Sequence, residues 1–420
     1  MEQKLIPQIA FRETSDIGVI WVIDEAIKLG FYNGNQEWAN FGQGEPEVGE
    51  LKGGAPRINE FLIQPDDNRY GPTNGTDALR QTIAEHYNRL YRKNKASKYS
   101  AENVSIAMGG RLMLSRVFTI IGAARLGYKI PEYPAYHDML NYQLDRITPV
   151  CIPSKSENNH AIPSAEFDEA IKKNKLDAFL FSNPCNPTGH VIKGDELQAY
   201  ITISKEYNCA LIIDEFYSHF IFENGKPAKK PVSSAEYIED VNSDSVLIVD
   251  GLTKSFRYPG WRLAWALGPK NCIENIGRAA SAIDGGPSVP IQEAALQLFE
   301  PKRTDTESNA LRQVFNKKQN LMLNTLRKNG ILCSKDSNST FYVWGDISEL
   351  PPPLNNAKCF FQELLKLKVI TVPGYMFDIH PGMPKKKTAF DHYVRFSFGP
   401  EEEILKMGLD RITEVIRSYS

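Results

Sequence analysis

The sequence lacks the patterns that would anchor the chain in a membrane or cross-link it through disulfides. Its 420 residues contain no run of the roughly 18–20 apolar residues that a membrane-spanning helix needs. The six cysteines are scattered, with no C-x-x-C pair and no Cys/His spacing typical of a metal site. The opening stretch MEQKLIPQIAFRETSD carries charge early and has no apolar centre, unlike a secretory signal. We therefore expect a cytoplasmic protein with reduced thiols and no metal.

A strong charge of either sign is also absent. Lysine and arginine total 49 and aspartate and glutamate 51, which leaves a formal net charge of −2. No field of one sign therefore favours nucleic acid or an anionic membrane, and we expect neither as a partner. Hydrophobic residues make up 42% and charged residues 24%, as is typical of globular proteins. At about 100–200 residues per domain, the length predicts two or three structural units.

Short apolar runs alternate with helical patterns through the middle of the chain. The runs DAFLFSNP (177–184), CALIIDE (209–215) and SVLIVDG (245–251) are predicted strands, apolar and β-branched as strands buried on both faces are. LAWALGP (263–269) is a further predicted strand, and GDELQAYITISKEYN (194–208) has helical spacing. This alternation predicts an α/β fold with a mostly parallel sheet flanked by helices.

The pattern changes after about residue 290. A long helical stretch is followed by two predicted strands, STFYVWGDI and HYVRFSFG, with the predicted helix KCFFQELLKLK between them and a closing helix after them. We predict an N-terminal segment (1–50) that packs with the small domain, a large α/β domain (51–300) and a smaller α+β domain (301–420).

Three polar residues come directly after predicted strands. Asn186 lies in SNPCNPTG, Asp214 closes LIID with Tyr217 three residues later, and Lys254 follows SVLIVDGLT. Taken singly, Asn186 suits a turn former, Asp214 suits a helix cap and Lys254 suits a surface charge. Ligands in open α/β sheets bind beyond the carboxyl ends of the strands, however, so together these residues are expected to converge on one crevice.

A lysine, an aspartate, an asparagine and a tyrosine together suit a pyridoxal 5'-phosphate site. The lysine amine can form a Schiff base with the cofactor aldehyde. A carboxylate facing the ring nitrogen keeps it protonated, so that the ring accepts electrons from a carbanion. Asparagine and tyrosine donors suit the phenolate oxygen, and the phosphate needs arginine and free backbone N–H groups.

The blocks SNPCNPTGH, LIIDEFY and DGLTKSFRYPGWR resemble the signature blocks of fold-type I pyridoxal phosphate enzymes, the class I/II aminotransferases. Asp214 lies 28 residues after Asn186, Lys254 lies 40 residues after Asp214, and Arg262 lies 8 residues after Lys254. This order and spacing fit that family. The resemblance implies that Lys254 is the Schiff-base lysine and Asp214 the partner of the ring nitrogen. It places Asn186 and Tyr217 at the phenolate oxygen and Arg262 at the phosphate.

Further matches to the family follow in the same order. Tyr70 in YGPTNG resembles the tyrosine that reaches the phosphate of the partner subunit, which implies a homodimer with shared active sites. The turn MGGR (108–111), which precedes a predicted apolar helix, resembles the family's phosphate loop. Gly109, Gly110 and Arg111 are therefore candidates for binding the cofactor phosphate. A Gly-Gly strand-to-helix turn without a ligand would give the same sequence.

The remaining matches concern the cofactor ring and the substrate. Tyr133 in PEYPAY is similar to the aromatic residue that stacks on the ring, although a tyrosine in a proline-rich loop is also ordinary. Thr253 keeps a hydroxyl beside the lysine. Gly44 in FGQGEPE resembles the substrate loop. Arg395 in YVRFSFG matches the arginine that binds the substrate α-carboxylate, and Asn186 is a further substrate-binding candidate that the resemblance implies.

The sequence also departs from the family. Gly251 stands where members commonly have a serine that contributes to phosphate binding. Its loss removes a hydrogen bond worth on the order of 1.5–3 kcal/mol unless Arg111 or Arg257 replaces it. The segment before Tyr133 looks shorter than the strand that the family has there, and Asp378 in PGYMFD stands where a glycine is frequent.

We expect a pyridoxal phosphate-dependent transaminase that moves an amino group between an L-amino acid and a 2-oxo acid. The freed Lys254 would act as general base in two half-reactions with ping-pong kinetics. A lyase, decarboxylase or cyclising synthase on the same fold is the alternative, because the rest of the pocket decides the fate of the carbanion. A non-catalytic sensing module is a third possibility.

Overall fold

The structure is a computed structural model that describes residues 19–334, 337–383 and 388–419. The helices of these residues are α1 (Val19–Ile27), α2 (Asp77–Tyr91), α3 (Gly110–Ile120), α4 (Ala135–Asn141), α5 (Ser164–Asn174), α6 (Asp195–Glu206), α7 (Lys270–Ile283), α8 (Val289–Leu296), α9 (Pro301–Lys328), α10 (Ala357–Lys366) and α11 (Glu402–Arg417). The strands are β1 (Ala39–Asn40), β2 (Val104–Ala107), β3 (Ala124–Ile130), β4 (Ile147–Pro153), β5 (Ala178–Ser182), β6 (Ala210–Asp214), β7 (Phe222–Glu223), β8 (Lys226–Pro227), β9 (Val246–Gly251), β10 (Ala264–Leu267), β11 (Leu332–Cys333), β12 (Tyr342–Asp346), β13 (Val369–Ile370), β14 (Val372–Pro373) and β15 (Tyr393–Ser397).

The larger sheet has seven strands in the order β2-β10-β9-β6-β5-β3-β4. The five strands β9, β6, β5, β3 and β4 are parallel to one another, and β10 is antiparallel to both β2 and β9. Successive residues of β6 point to opposite faces: Leu211 and Ile213 pack in one apolar cluster and Ile212 in another. Because both faces are covered, these strands read as continuous apolar runs, and the predicted mostly parallel sheet is confirmed.

A second, four-stranded antiparallel sheet has the order β11-β12-β15-β14. It follows the 28-residue helix α9, which begins at Pro301, where the proline has no N–H to lose from the first turn. The two-residue strand β1 pairs in parallel with β13, so the segment around residue 40 lies against the C-terminal part. This is the expected smaller α+β unit, while the domain boundaries stay a prediction.

The segment before Tyr133 holds a complete strand, although it looks short in the sequence. β3 has seven residues and pairs in parallel with both β4 and β5. The connection before it is short, because α3 ends at Ile120 and β3 begins at Ala124. Along the described ranges, we find no helix with both the length and the apolar character needed to cross a membrane.

Candidate active site

A cavity of about 380 Å³ opens where β5, β6 and β9 end. Paired residues place these ends side by side: Ser182 lies opposite Asp214, and Asp214 opposite Val249. All the predicted site residues except Gly109 and Tyr70 line this cavity: Gly44, Gly110, Arg111, Tyr133, Asn186, Asp214, Tyr217, Thr253, Lys254, Arg262 and Arg395.

Lys254 lies in the turn after β9, with its side chain partly buried in the cavity. Its amine donates a hydrogen bond to the carbonyl oxygen of Gly44. Burial lowers the pKa of this amine from 10.5 to about 7, and the neighbouring guanidinium groups of Arg395 and Arg262 act in the same direction. A large fraction of Lys254 is therefore a neutral amine near pH 7, the form that can act as a nucleophile or a base.

Asp214 ends β6 and is 7% exposed. Its Oδ2 accepts a hydrogen bond of 2.8 Å from the Tyr136 hydroxyl, and its Oδ1 accepts one of 3.3 Å from the backbone N–H of Phe216. Burial raises the pKa of this carboxyl to about 6, and the Tyr136 bond works against that rise. Asp214 is thus a buried acid that forms no ion pair with any cation of the described residues, and a positively charged partner would favour its ionised form.

One end of the cavity combines the start of helix α3 with the guanidinium of Arg262. Gly109 precedes the first turn of α3 with φ of 99°, which favours glycine. A Cβ at this position would lie 2.4 Å from Nη2 of Arg262, so the guanidinium lies directly over the start of the helix. Free backbone N–H groups at a helix start together with a guanidinium are a suitable site for phosphate.

Of the two arginines that could replace the missing hydrogen bond at Gly251, Arg111 lines the cavity and Arg257 does not. The Nε of Arg111 donates to the Tyr133 hydroxyl at 3.1 Å. Arg257 is fully buried away from the cavity, where its Nε donates to Glu307 at 2.8 Å. The space beside Gly251 holds the ring of Phe216, which also lines the cavity.

The opposite end of the cavity contains Arg395, which is 1% exposed. Its Nη1 donates to Oδ1 of Asn186 at 3.0 Å and its Nη2 to the carbonyl oxygen of Gly42 at 2.8 Å. The guanidinium lies 4.1 Å from the centre of the Tyr342 ring. Its buried Nε has no hydrogen-bond partner among the described residues, so a ligand carboxylate would find a fixed guanidinium with spare donor capacity.

Five residues that line the cavity or contact Asp214 were not predicted from the sequence: Leu114, Tyr136, Ser182, Phe216 and Tyr342. Tyr342 lies on β12 of the second sheet, and its hydroxyl is 2.9 Å from that of Tyr217. Tyr136 lies one helical turn after Tyr133, which is the one spacing that could have indicated a residue on the same side of the loop.

A buried ion pair supports the loop that carries Asn186. Nζ of Lys129 lies 3.1 Å from both Oε1 of Glu132 and Sγ of Cys185. Glu132 also accepts a hydrogen bond of 2.6 Å from the Ser182 hydroxyl. The Ser182 oxygen in turn accepts one of 3.2 Å from the backbone N–H of Asn186. These bonds fix the loop between β5 and Asn186.

The described residues also show where Tyr70 lies. Its side chain is fully exposed, at 102% of the reference area, and it does not line the cavity of its own chain. The predicted role of Tyr70 requires a second subunit, and it stays a prediction.

The chain is similar to known aminotransferases over most of its length. The family model "Aminotransferase class I and II" matches residues 36–412. An aspartate aminotransferase of Sulfurisphaera tokodaii is 28% identical over 390 residues, 90% of this chain and 89% of its own. A probable aspartate/prephenate aminotransferase of Thermus aquaticus is 26% identical over 352 residues, 83% of this chain and 84% of its own.

Solved structures show the same fold. The aspartate aminotransferase of Thermus thermophilus with maleate superimposes with a TM-score of 0.77 at 21% identity, over 96% of this chain and 100% of its own. An aromatic aminotransferase of Pyrococcus horikoshii gives a TM-score of 0.73 at 21% identity, over 94% and 99%. The fold and the cavity define a fold-type I aminotransferase architecture. The chain belongs to the class I and II aminotransferase family, and it is an aminotransferase.

Proposed function

We propose that the protein is a pyridoxal 5'-phosphate-dependent transaminase in which Lys254 carries the cofactor. The observation that supports this most directly is the position of Lys254, Asp214 and Arg262 around one cavity. The amine has a pKa lowered to about 7, and the buried acid has one raised to about 6. Such opposite shifts in one pocket are typical of groups that act in catalysis.

The residues of the cavity suit this cofactor. Arg262 and the start of α3 would hold the phosphate, with the Thr253 hydroxyl nearby. Asp214 would face the ring nitrogen, where a proton on that nitrogen would favour the ionised carboxylate. Tyr217 and Asn186 would donate to the phenolate oxygen. When bound, the cofactor supplies an electron-withdrawing ring that makes the substrate α-carbon acidic.

The protein's own groups would then bind the substrate and move its proton. Arg395, fixed by Asn186 and the Gly42 carbonyl, would bind the α-carboxylate of an L-amino acid or a 2-oxo acid. Lys254 Nζ would take the proton from the α-carbon, because a neutral amine is available near pH 7. The names of the relatives lead us to propose aspartate as an amino donor.

The first experiment is a titration of the cofactor-free protein with pyridoxal phosphate, followed by its visible absorption. We expect a lysine-bound band in the wild type and its loss in Lys254→Ala, with the exposed Lys358→Ala as matched control. Aspartate should then bleach the band and release one oxo acid per site. Consumption of the amino acid without amination of the cofactor would contradict transamination and favour a lyase or decarboxylase.

We further propose a homodimer with shared active sites and a cytoplasmic location. The exposed Tyr70 supports the dimer, and so do Leu62 and Ile63, which are 77% and 51% exposed nearby, since exposed apolar clusters mark contact surfaces. The six free cysteines suit a reducing compartment.

Mixing two inactive variants tests the shared site. Tyr70→Ala and Lys254→Ala subunits should each be inactive or nearly so. An equimolar mixture should regain up to about a quarter of the wild-type activity per subunit, because about half of the dimers are hybrids and one of the two sites in each hybrid is intact. Equal inactivity of the hybrids, or a monomer in sedimentation equilibrium, would contradict the shared site.

A further inference from the structure

A second cavity of about 370 Å³ lies outside the candidate active site. It lies between the first three turns of α9, the end of α2 and the segment 228–231 that follows β8. It shares no lining residue with the cavity around Lys254. A ligand in this second cavity would therefore be separate from the cofactor and the substrate.

The cavity contains a buried arginine, Arg312, on which the Asp305 carboxylate acts electrostatically without forming an ion pair within the described residues. Arg312 is 5% exposed. Its Nε donates to the Ala228 carbonyl oxygen at 2.9 Å and its Nη1 to the Ser308 hydroxyl at 2.6 Å. In the part of the chain that the structure describes, Nη2 has no hydrogen-bond partner and no carboxylate forms an ion pair with the guanidinium. Buried charges are normally paired, so this arrangement leaves an unmet requirement for an anion.

Two other charged groups of the cavity are already neutralised. Lys230 donates to both carboxylate oxygens of Glu236, at 2.6 and 2.8 Å. Asp305 accepts two bonds of 2.9 Å from the guanidinium of Arg89. Each pair contributes no net charge to the cavity. The cation that pairs with Asp305, Arg89, does not line the cavity.

Two positive charges remain after these pairs are set aside. Lys229 is exposed at the cavity mouth and makes no ion pair with any residue of the described ranges, and Arg312 lies at its inner wall. His219 also lines the cavity, but burial lowers its pKa well below the usual value, so it is neutral. The unpaired charge of the lining is therefore +2, which matches a dianion.

The hydrogen-bond donors point to the same class of ligand. The Ser308 oxygen accepts a bond from Arg312, and its own hydrogen has no acceptor among the residues described, so it can donate. The Asn309 side chain is exposed on the same wall. A tetrahedral oxyanion offers acceptors in several directions, and a guanidinium fork binds such a group well.

We propose that this cavity binds a small dianionic oxyanion of the phosphate class, either inorganic phosphate or a phosphate monoester. Arg312 is the inner ligand, Lys229 the outer one, and the Ser308 hydroxyl an added donor. The bound anion connects the segment 228–231 to α9, because its ligands come from both.

The test uses the holoenzyme, in which pyridoxal phosphate already occupies the phosphate end of the active site. Inorganic phosphate is titrated calorimetrically at constant ionic strength in a chloride buffer. We expect saturable binding of one phosphate per chain, weakened about tenfold in Lys229→Gln, because one of two attracting charges is removed. Lys226→Gln removes an equal charge from the same surface hairpin outside the cavity and should leave the affinity unchanged.

Three further results complete the test. Arg312→Lys keeps the charge but loses the fork, and it should weaken binding more than Lys226→Gln does; if that variant does not fold, the two lysine variants still decide. Glycerol 3-phosphate that displaces phosphate supports a monoester as the natural ligand, and failure to displace supports inorganic phosphate. Absence of saturable binding, or equal loss in Lys226→Gln and Lys229→Gln, overturns the proposal. None of these results depends on whether Lys254 carries the cofactor in catalysis.

Discussion

The ring of Phe216 fills the space into which a side chain at position 251 would project. A Cβ on Gly251 would lie 2.8 Å from Cε1 of Phe216 and 2.7 Å from the backbone oxygen of Leu263. The same ring covers Gly110, where a Cβ would lie 2.5 Å from Cζ. The ring of Phe216 therefore leaves no room for a side chain at either glycine.

The first prediction follows from this contact. Gly251→Ser should lower the free energy of unfolding by about 1–3 kcal/mol, because the added atoms overpack a rigid site. Phe216→Val in the same chain should recover part of that loss, since it removes one of the three contacts closer than 3.0 Å. Chemical denaturation of both single variants and the double variant gives the coupling energy.

A matched control separates this clash from a general effect of serine. Gly260 lies in the single helical turn Pro259–Trp261, and no atom of the described residues lies within 4 Å of the Cβ that it would carry. Gly260→Ser should therefore change stability little. Additive losses in Gly251→Ser and Phe216→Val, with no coupling, would show that the ring does not exclude a side chain at 251.

A second prediction concerns the hydroxyl that faces Asp214. Tyr136→Phe removes the 2.8 Å bond that favours the ionised carboxylate, so the pKa of Asp214 should rise further above about 6. If Asp214 binds a protonated ring nitrogen, cofactor affinity should fall about tenfold at pH 6 and much less at pH 8. Fluorescence titration of pyridoxal phosphate across this range measures both.

The control for Tyr136→Phe is another buried tyrosine. Tyr200 donates its hydroxyl to the Ile162 carbonyl oxygen in the other apolar cluster, far from the acid. Tyr200→Phe should leave the pH dependence of cofactor affinity as in the wild type. A Tyr136→Phe variant with the wild-type pH profile of cofactor affinity would contradict the proposed contact between Asp214 and the ring nitrogen.

Sequence and structure agree most closely where topology alone decides the outcome. Asn186, Asp214 and Lys254 follow neighbouring parallel strands, and such strands end at one edge of the sheet, so their convergence could be predicted from the chain order. Tyr342 could not be found this way, because it reaches Tyr217 only through the packing of the second sheet against the first. Phe216 could not be found from the chain order either, because only its close contacts with Gly110 and Gly251 show what its ring excludes.

A third prediction concerns the pH at which Lys254 becomes reactive. Burial lowers the pKa of its amine to about 7. An acylating reagent that reacts only with neutral amines should therefore modify Lys254 of the cofactor-free protein at a rate whose pH dependence has its midpoint near pH 7. Mass spectrometry of the peptide that contains Lys254 measures this, with the exposed Lys358 followed as internal reference. A midpoint above pH 9 would contradict the lowered pKa.

The same shift has a consequence for stability. The folded state binds fewer protons at Lys254 than the unfolded state does between about pH 7 and 10.5, so the contribution of this residue to stability rises with pH in that window. Lys254→Met should flatten the dependence of the unfolding free energy on pH between 7 and 9. An unchanged slope in the variant would mean that the lysine keeps its proton in the folded protein.

The last prediction concerns the ion pair beneath the loop of Asn186. Lys129→Met leaves the fully buried carboxylate of Glu132 without a cation, and loss of one partner of a buried pair costs about 3–5 kcal/mol. Adding Glu132→Gln should restore part of this stability, because the remaining amide no longer needs a counterion and can still bind the Ser182 hydroxyl.

Denaturation curves of the single and double variants measure this, and a surface pair provides the control. Lys155 and Glu166 are 60% and 38% exposed, so Lys155→Met should cost no more than about 1 kcal/mol. The rescue should extend to the site, because the Ser182 oxygen accepts the N–H of Asn186, whose side chain fixes Arg395. We therefore expect the KM for the amino donor to rise in Lys129→Met and to return toward the wild-type value in the double variant. A double variant that is less stable than Lys129→Met would show that the charge of Glu132 itself holds the loop.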